Sequence, residues 1–288
     1  MIEKRYQPMS AAVNNALKGT DGDVSAETPD HRLFVAGVAK AFAVLDAFTD
    51  EDSALSLNEL STRSGIGRSA TQRFVYTLKI LGYIQQDPAS RRYRLTPRLL
   101  HFANAYLRND PLISRAFPYL REASRRTGET VNLTRLDGAE IVFVTRFPSS
   151  TIISADLVLG SRLPAFCTAP GRAMLAYVDH NRVMAVLENH PRNAMTEHTI
   201  TEIDGLTERL EIIRRQGFEI AVEETFIGDI SIAAPVRGED GNVVAAVNIA
   251  VAKPRWSKES ASAGLAPIVT ETAAAISAGR SAPFARGR

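Results

Sequence analysis

Residues Ser56 to Arg94 read SLNELSTRSGIGRSATQRFVYTLKILGYIQQDPASRRYR. Ser56-Leu57-Asn58-Glu59 fits a capping box, in which the Ser hydroxyl takes the backbone N–H three residues on and the Glu carboxylate reaches back. This places a helix start at Leu57, with Leu57 and Leu60 on its inner face and Gly65 as a left-handed stop. A second helix, Arg68 to Leu81, puts Ala70, Phe74, Leu78 and Leu81 on one stripe, with Gly82 as its C-terminal signal. Tyr83-Ile84-Gln85-Gln86 and Arg92-Tyr93-Arg94-Leu95 then read as two strands around the turn-rich Asp87-Pro88-Ala89-Ser90. Two helices, a tight join and a hairpin make the pattern of a winged helix-turn-helix.

Charge points the same way. From Arg63 to Arg98 eight Lys and Arg face a single acid, Asp87, so the segment carries net +7 in a chain of net +2. Solvated faces mix both signs, and a one-signed basic excess is the electrostatic footprint of nucleic-acid binding. The candidate DNA contacts are Arg68, Ser69, Thr71, Gln72, Arg73 and Tyr76 on the second helix, which would lie in a major groove. Arg91 and Arg92 at the hairpin tip are the candidates for backbone phosphate.

Working outward, residues 1–31 hold Gly, Asp, Ser, Thr and Pro with little apolar periodicity and are expected to form a flexible arm. Val35, Val38, Phe42, Leu45 and Phe48 recur at helical spacing, so a first helix is expected to pack under the helix-turn-helix and offer its remaining apolar face to a dimer. Asp50-Glu51-Asp52 reads as a solvated turn. Residues 32–95 make the DNA-binding domain. Thr96-Pro97 signals another helix start, with Thr as N-cap, and residues 96–110 are the expected linker helix. Asn109-Asp110-Pro111 breaks it.

At 288 residues the chain suggests about two domains, and the second is expected over 111–280, with a tail at 281–288. Asp137-Gly138 marks a hairpin between Thr130 to Leu136 and Glu140 to Phe147, both turn positions favouring positive φ. Thr151 to Leu159, Phe218 to Val222, Ile230 to Val236 and Val243 to Val251 are further strand candidates. Helices are expected over Thr168 to Val178, Asn181 to Glu188, Asp204 to Gln216 and Lys258 to Ser277. This order predicts an α+β domain with an antiparallel sheet of five or six strands.

Some classes are disfavoured. No apolar run reaches the eighteen or so residues needed to span a bilayer, and the N-terminus lacks a signal-peptide core, so a cytoplasmic protein without membrane contact is expected. One cysteine, Cys167, excludes an intramolecular disulfide framework, and five scattered His give no metal-ligand spacing. No metal and no cofactor are expected.

The chain resembles the IclR family of bacterial transcriptional regulators over about 32 to 277. The matching phrases are Leu57 to Ile84, Tyr93 to Pro97 (YRLTP), Gly160 to Leu175 (GSRLPAFCTAPGRAML) and Ser231 to Asn248 (SIAAPVRGEDGNVVAAVN). The resemblance implies a winged helix-turn-helix, a linker helix and a GAF-like effector-binding domain. It also implies homodimers or dimers of dimers on palindromic double-stranded operators, with RNA polymerase a further candidate partner. The YRLTP wing, the long arm and the phrasing of Ala36 to Phe48 look most like the branch governing aromatic-acid catabolism.

The resemblance further implies an effector pocket on the concave face of the C-terminal sheet. A glyoxylate-type sensor of the family uses an Asp, a Cys and two Ser there, and the corresponding positions here are Ala221, Ser231, Ala246 and Asn248. Losing the Asp and one Ser suits a larger, partly apolar effector, for which an aromatic acid is the expectation and a small aliphatic acid the alternative. The candidate effector residues are Asn132, Phe143, Arg146, Phe166, Thr168, Glu223, Ser231 and Asn248. Arg135, Arg146 or Arg162 is expected to pair the carboxylate.

The rival class is an enzyme built on the second domain. Cys167 has no base or orienting group near it in sequence, and Asp179-His180 has no nucleophile. Glu223 and Glu224 are adjacent, so on a strand they point to opposite faces and cannot share a proton-transfer task. No catalytic residue is assigned. An architectural nucleic-acid binder would leave some 170 residues of the second half without a task.

Overall fold

The computed structural model describes residues 32–49, 52, 54–149 and 157–279. The expected arm at 1–31, the tail at 281–288, Asp50, Glu51 and the 151–156 part of the third strand candidate lie outside the described residues. The chain divides into two compact units between Tyr106 and Leu107, inside the helix expected to be a linker.

The first unit is built on α1 (Ala36–Asp46), α2 (Leu57–Ser64), α3 (Arg68–Ile80), β1 (Ile84–Gln86) and β2 (Tyr93–Leu95). Its core is small: Val44, Leu55, Leu60, Val75 and Ile84 are at most 2% exposed. Both arms of the capping box form, with Glu59 N–H donating to Ser56 Oγ and Ser56 N–H donating to Glu59 Oε2 at 2.6 Å. Gly65 closes α2 at φ +67°.

Two faces differ from expectation. On α3 the buried residues are Thr71, Val75 and Leu78; Ala70 and Phe74 of the expected stripe pack against the core partly buried, and Leu81 is half exposed. The inward face is therefore centred one position on from the expected stripe and wide enough to keep most of it. On α1 the residues turned inward are Ala43 and Val44, followed by Ala47. Leu33, Val35, Val38 and Phe42 are each more than half exposed, and only Leu45 and Phe48 of the anticipated stripe pack against the core. Small side chains let α1 lie close to α2 and α3, which rotates the larger ones outward.

A 3₁₀ turn (Pro97–Leu99), with Thr96 accepting from Arg98 N–H, leads into α4 (Leu100–Asn109). Thr96 also donates to Gly82 O at 2.6 Å, fastening this start to the turn that follows α3.

The second unit opens with α5 (Pro111–Thr127), capped by Asp110, whose carboxylate accepts from Leu112 and Ile113 N–H and also pairs with Arg135 at 2.7 Å. The strands β3 (Thr130–Asp137), β4 (Glu140–Phe147), β5 (Arg162–Pro164), β6 (Glu219–Val222), β7 (Asp229–Arg237) and β8 (Val243–Ala252) form one antiparallel sheet in the order β5-β4-β3-β8-β7-β6. The first hairpin turns one residue later than expected. Asp137 pairs with Glu140, and Gly138 alone has positive φ, as in a type II′ turn. The third described strand of this sheet is Arg162–Pro164, and the described part of the third strand candidate, 157–159, is not strand.

Alternation along the strands sorts the sheet into two faces. Val131, Leu133, Ile230, Ile232, Val247 and Ile249 pack on one face with α5 and α9 (Lys258–Ser277). The intervening Asn132, Ser231 and Asn248 must then point to the other face. That face is covered in part by a 3₁₀ turn (Ala165–Cys167), α6 (Ala169–Leu175), α7 (His180–Asn189) and α8 (Ile203–Gln216).

Candidate functional site

In the first unit, Arg68, Ser69, Gln72, Arg73 and Tyr76 are all exposed along one side of α3. Their positions i, i+1, i+4, i+5 and i+8 make a continuous polar stripe of guanidinium, hydroxyl, amide and phenol groups. Thr71 does not join them. It is fully buried, and its hydroxyl donates to Ile66 O at 3.0 Å and Gly67 O at 3.2 Å, so it ties α3 to the preceding turn.

The wing tip is held by Asp87, whose carboxylate accepts from Ala89 N–H, Ser90 N–H and the Ser90 hydroxyl; the Ser90 amide is the main cause of its lowered pKa. Arg91 follows in left-handed backbone at φ +58° with its side chain exposed. Arg92, expected beside it on phosphate, turns back instead. Its Nη2 pairs with both Glu59 oxygens at 3.0 and 2.8 Å and its Nε donates to Ala54 O, the left-handed turn at Arg91 having redirected the chain just before it. Glu59 is held down to about 2 by the Ser56 amide, the Ser56 hydroxyl and Arg92, in that order.

In the second unit a cavity of about 200 Å³ lies against the face carrying Asn132, Ser231 and Asn248. Asn132 and Asn248 are cross-strand partners, and Ser231 sits diagonally beyond Asn248. The side chains form a ladder: Arg146 Nη1 donates to Asn132 Oδ1 (3.0 Å), Asn132 Nδ2 to Asn248 Oδ1 (3.3 Å), and Asn248 Nδ2 to Ser231 Oγ (3.0 Å). Every donor runs in one direction along this row. Ile141, Phe143, Leu157 and Leu163 supply the apolar part of the cavity's lining, and the cavity is closed by Thr168, Ala169 and Pro170 and by Thr225 to Gly228.

Six of the eight anticipated effector residues thus meet at one cavity: Asn132, Phe143, Arg146, Thr168, Ser231 and Asn248. Phe166 does not; it is buried with Cys167 and Met174 in the core beneath. Nor does Glu223, which has left-handed φ (+55°) and turns its carboxylate to Lys253 and to Gly228 N–H. Of the three arginines, only Arg146 reaches the cavity, since Arg162 is engaged by Asp137 and Glu140 and Arg135 by Asp110. Ala221 packs with Ala169, Ala173 and Ala233, and Ala246 lies in the adjoining core, so both are wall filler rather than ligand contacts.

Two features escaped the sequence reading. Asp229, at the start of β7, lines the cavity near Arg146, and burial pushes its carboxyl up to about 7 against the opposing pull of that arginine. The other is a buried ion cluster. Arg172 pairs bidentately with Glu224 (2.6 and 2.5 Å) and with Glu219 (2.8 Å), and Arg209 takes the far side of Glu219. Arg172 also donates to Phe166 O, and the Thr225 hydroxyl donates to Cys167 O. Both cavity closures are therefore tied to one charged knot. A small clue was available, because Arg172 and Glu219 sit between apolar neighbours in sequence, Arg172 beside Gly171 and Ala173 and Glu219 between Phe218 and Ile220.

Cys167 is buried, and desolvation pushes its thiol up to about 12, so it carries almost no thiolate at neutral pH. Among the described residues no three His, Cys, Asp or Glu gather as metal ligands, and no helix is long and apolar enough to cross a membrane.

Comparison with known proteins joins the two units. The profile of the bacterial transcriptional regulator IclR C-terminal domain matches residues 104–278, and that of the IclR helix-turn-helix domain matches residues 37–88. The chain belongs to the IclR family of transcriptional regulators. It is 32% identical over 263 residues to the Pca regulon regulatory protein of Pseudomonas putida, covering 91% of this chain and 87% of that one. It is 32% identical over 220 residues to the p-hydroxybenzoate hydroxylase transcriptional activator of Acinetobacter baylyi, covering 75% of this chain and 80% of that one. The crystal structure of an IclR homolog complexed with 4-hydroxybenzoate from Microbacterium hydrocarbonoxydans has the same fold (TM-score 0.71, 23% identity, 84% of this chain and 98% of that one). The helix-turn-helix and the effector domain of this IclR regulator are thus a DNA-binding half and a half that holds a small-molecule site.

Proposed function

We propose that this IclR regulator senses an aromatic monocarboxylic acid in the cavity of its second unit and adjusts operator binding in response. The observation that carries this is the pairing of a directed polar row, Arg146-Asn132-Asn248-Ser231, with an apolar wall of Ile141, Phe143 and Leu163. A carboxylate pairs with Arg146, and the Ser231 hydroxyl, which has no acceptor among the described residues, donates to it; the ring lies on the wall. The names of the p-hydroxybenzoate activator and of the 4-hydroxybenzoate complex support this ligand class. The cavity volume of about 200 Å³ lies below the usual 300–1,000 Å³ range, which favours a single ring and leaves a small aliphatic acid as the second reading.

For the output, Arg68, Ser69, Gln72, Arg73 and Tyr76 meet base edges and phosphates in a major groove, and Arg91 meets phosphate. Two copies bind a palindrome, with recognition helices about one helical turn apart. The exposed Val35, Val38 and Phe42 of α1 supply an apolar face for that pairing. The setting is the cytoplasm, where a regulator meets its operator and RNA polymerase.

Calorimetric titration with 4-hydroxybenzoate, protocatechuate and pyruvate, run beside operator-binding assays, tests the reading. Heat with an aromatic acid, no product, and a shift in operator affinity of about 5–150-fold are expected. Turnover points to an enzyme, heat with pyruvate alone points to the aliphatic reading, and Arg146→Ala is expected to weaken the aromatic acid at least tenfold.

A further inference from the structure

Asp229 presents a carboxylate to the same cavity that Arg146 serves. It is partly buried, and its backbone is fixed on both sides: Glu223 N–H donates to its carbonyl, and its own N–H donates to Phe226 O. No described hydrogen-bond donor reaches its side chain, and Arg146 is the one charged group found to pull on it. The other charges around it are already matched. Glu223, from the loop beneath, takes Lys253, which follows Ala252, the β8 partner of Asp229, and it also faces His198 at 3.7 Å. Arg172, from α6, is taken up by Glu219 and Glu224.

Among the described residues, the cavity lining therefore holds one cation and one anion, Arg146 and Asp229. An incoming carboxylate that docks on Arg146 removes the favourable partner of Asp229 and adds a like charge, and both changes raise the cost of keeping Asp229 ionised.

We propose that Asp229 takes up one proton from solvent when a carboxylate effector docks on Arg146, so that effector affinity is coupled to pH. This rests on the reading of the cavity as an acid-binding site. The step is a plain protonation: an O–H bond forms on Asp229, and the buffer supplies the proton.

A free carboxyl titrating near 7 is mostly ionised at pH 8 and mostly protonated at pH 6. Uptake per bound ligand is then roughly 0.9 proton at pH 8 and roughly 0.1 at pH 6, and affinity weakens by up to tenfold per pH unit above 7.

The experiment is titration of the full chain with 4-hydroxybenzoate at pH 6 and pH 8 in two buffers of different ionisation enthalpy, phosphate and Tris. Buffer-dependent heat at pH 8 that fades at pH 6 is the expected result. In Asp229→Asn the buffer dependence vanishes and affinity becomes flat from pH 6 to 8 while binding persists; the wild-type comparison stands without the variant. Binding with buffer-independent heat at pH 8 overturns the proton uptake and leaves the acid-binding reading intact. Absence of binding overturns that reading and the proposal with it. Uptake that survives in a folded Asp229→Asn assigns the proton to another group and also overturns the proposal.

Discussion

Replacing Arg172 with methionine is the sharpest test of how the effector domain is held. Arg172 is fully buried and supplies both guanidinium hydrogen bonds to Glu224, a bond to Glu219 and one to Phe166 O. Methionine keeps much of the volume and deletes the charge. Glu219 retains Arg209, but Glu224 is left with no cation and only the Ile200 N–H at 3.3 Å. Breaking a buried pair by removing one partner costs about 3–5 kcal/mol, because the remaining charge stays desolvated. For a domain of this size that corresponds to a fall in Tm of roughly 6–20 °C. Trp256 is the only tryptophan in the chain and donates from Nε1 to Glu129 in the same unit, so its fluorescence follows unfolding of this unit alone. Urea melts of Arg172→Met should show the full loss, and Arg172→Met combined with Glu224→Gln should recover part of it, since the second change removes the orphaned charge. A loss below about 1 kcal/mol, or a double variant no better than the single one, would refute the reasoning. The same variant should weaken 4-hydroxybenzoate, because both cavity closures hang on this cluster.

On the DNA side, Arg91→Ala should lower the salt slope of operator binding by about one and weaken specific and random DNA alike. Arg92→Ala should change that slope less and instead lower the Tm of the first unit. Glu59 has its pKa depressed in the folded state, so its contribution is present above about pH 4.3 and is lost as pH falls towards 2; an acid melt of Arg92→Ala should show this loss at higher pH than wild type. Gln72→Ala and Arg73→Ala should relax base discrimination in a binding-site selection assay, each costing about 1–3 kcal/mol on the preferred operator only. Thr71→Val should leave discrimination unchanged and destabilise the unit by about 0.5–1.5 kcal/mol in a denaturant melt, since the hydroxyl's hydrogen bonds to Ile66 O and Gly67 O are lost while both carbonyls keep a second donor, the Ser61 hydroxyl and the residue's own backbone N–H. Gly171→Ala would drive a Cβ into the Ala165 backbone, so the variant should express poorly or lose 4-hydroxybenzoate binding in calorimetry.

What the sequence made legible follows the periodicities that local chemistry enforces. Ser56, Glu59 and Gly65 speak through backbone rules within a few residues, so α2 could be placed from its ends inward. Asn132, Ser231 and Asn248 each interrupt an apolar strand on the alternate face, and a period of two admits no other side for them once Val131, Ile232 and Val247 go to the core. Helical stripes are less strict: Ala70, Phe74 and Leu78 of α3 pack inward, but the buried face is wide enough to take in Thr71 as well. Phe166 and Glu223 lie where no period applies, in a 3₁₀ turn and a loop with left-handed backbone, and there direction is decided by distant partners such as Lys253. Asp229 is the limiting case. As the first residue of a strand it looks like a polar edge; only when β4 brings Arg146 to the same cavity does its charge acquire a consequence. Chemistry that depends on two elements meeting is invisible to any rule that reads one element at a time. A residue placed by such a meeting can also separate regulators that share all their local motifs, because changing Asp229 or Arg146 alters the charge an effector must bring without disturbing a strand or a cap.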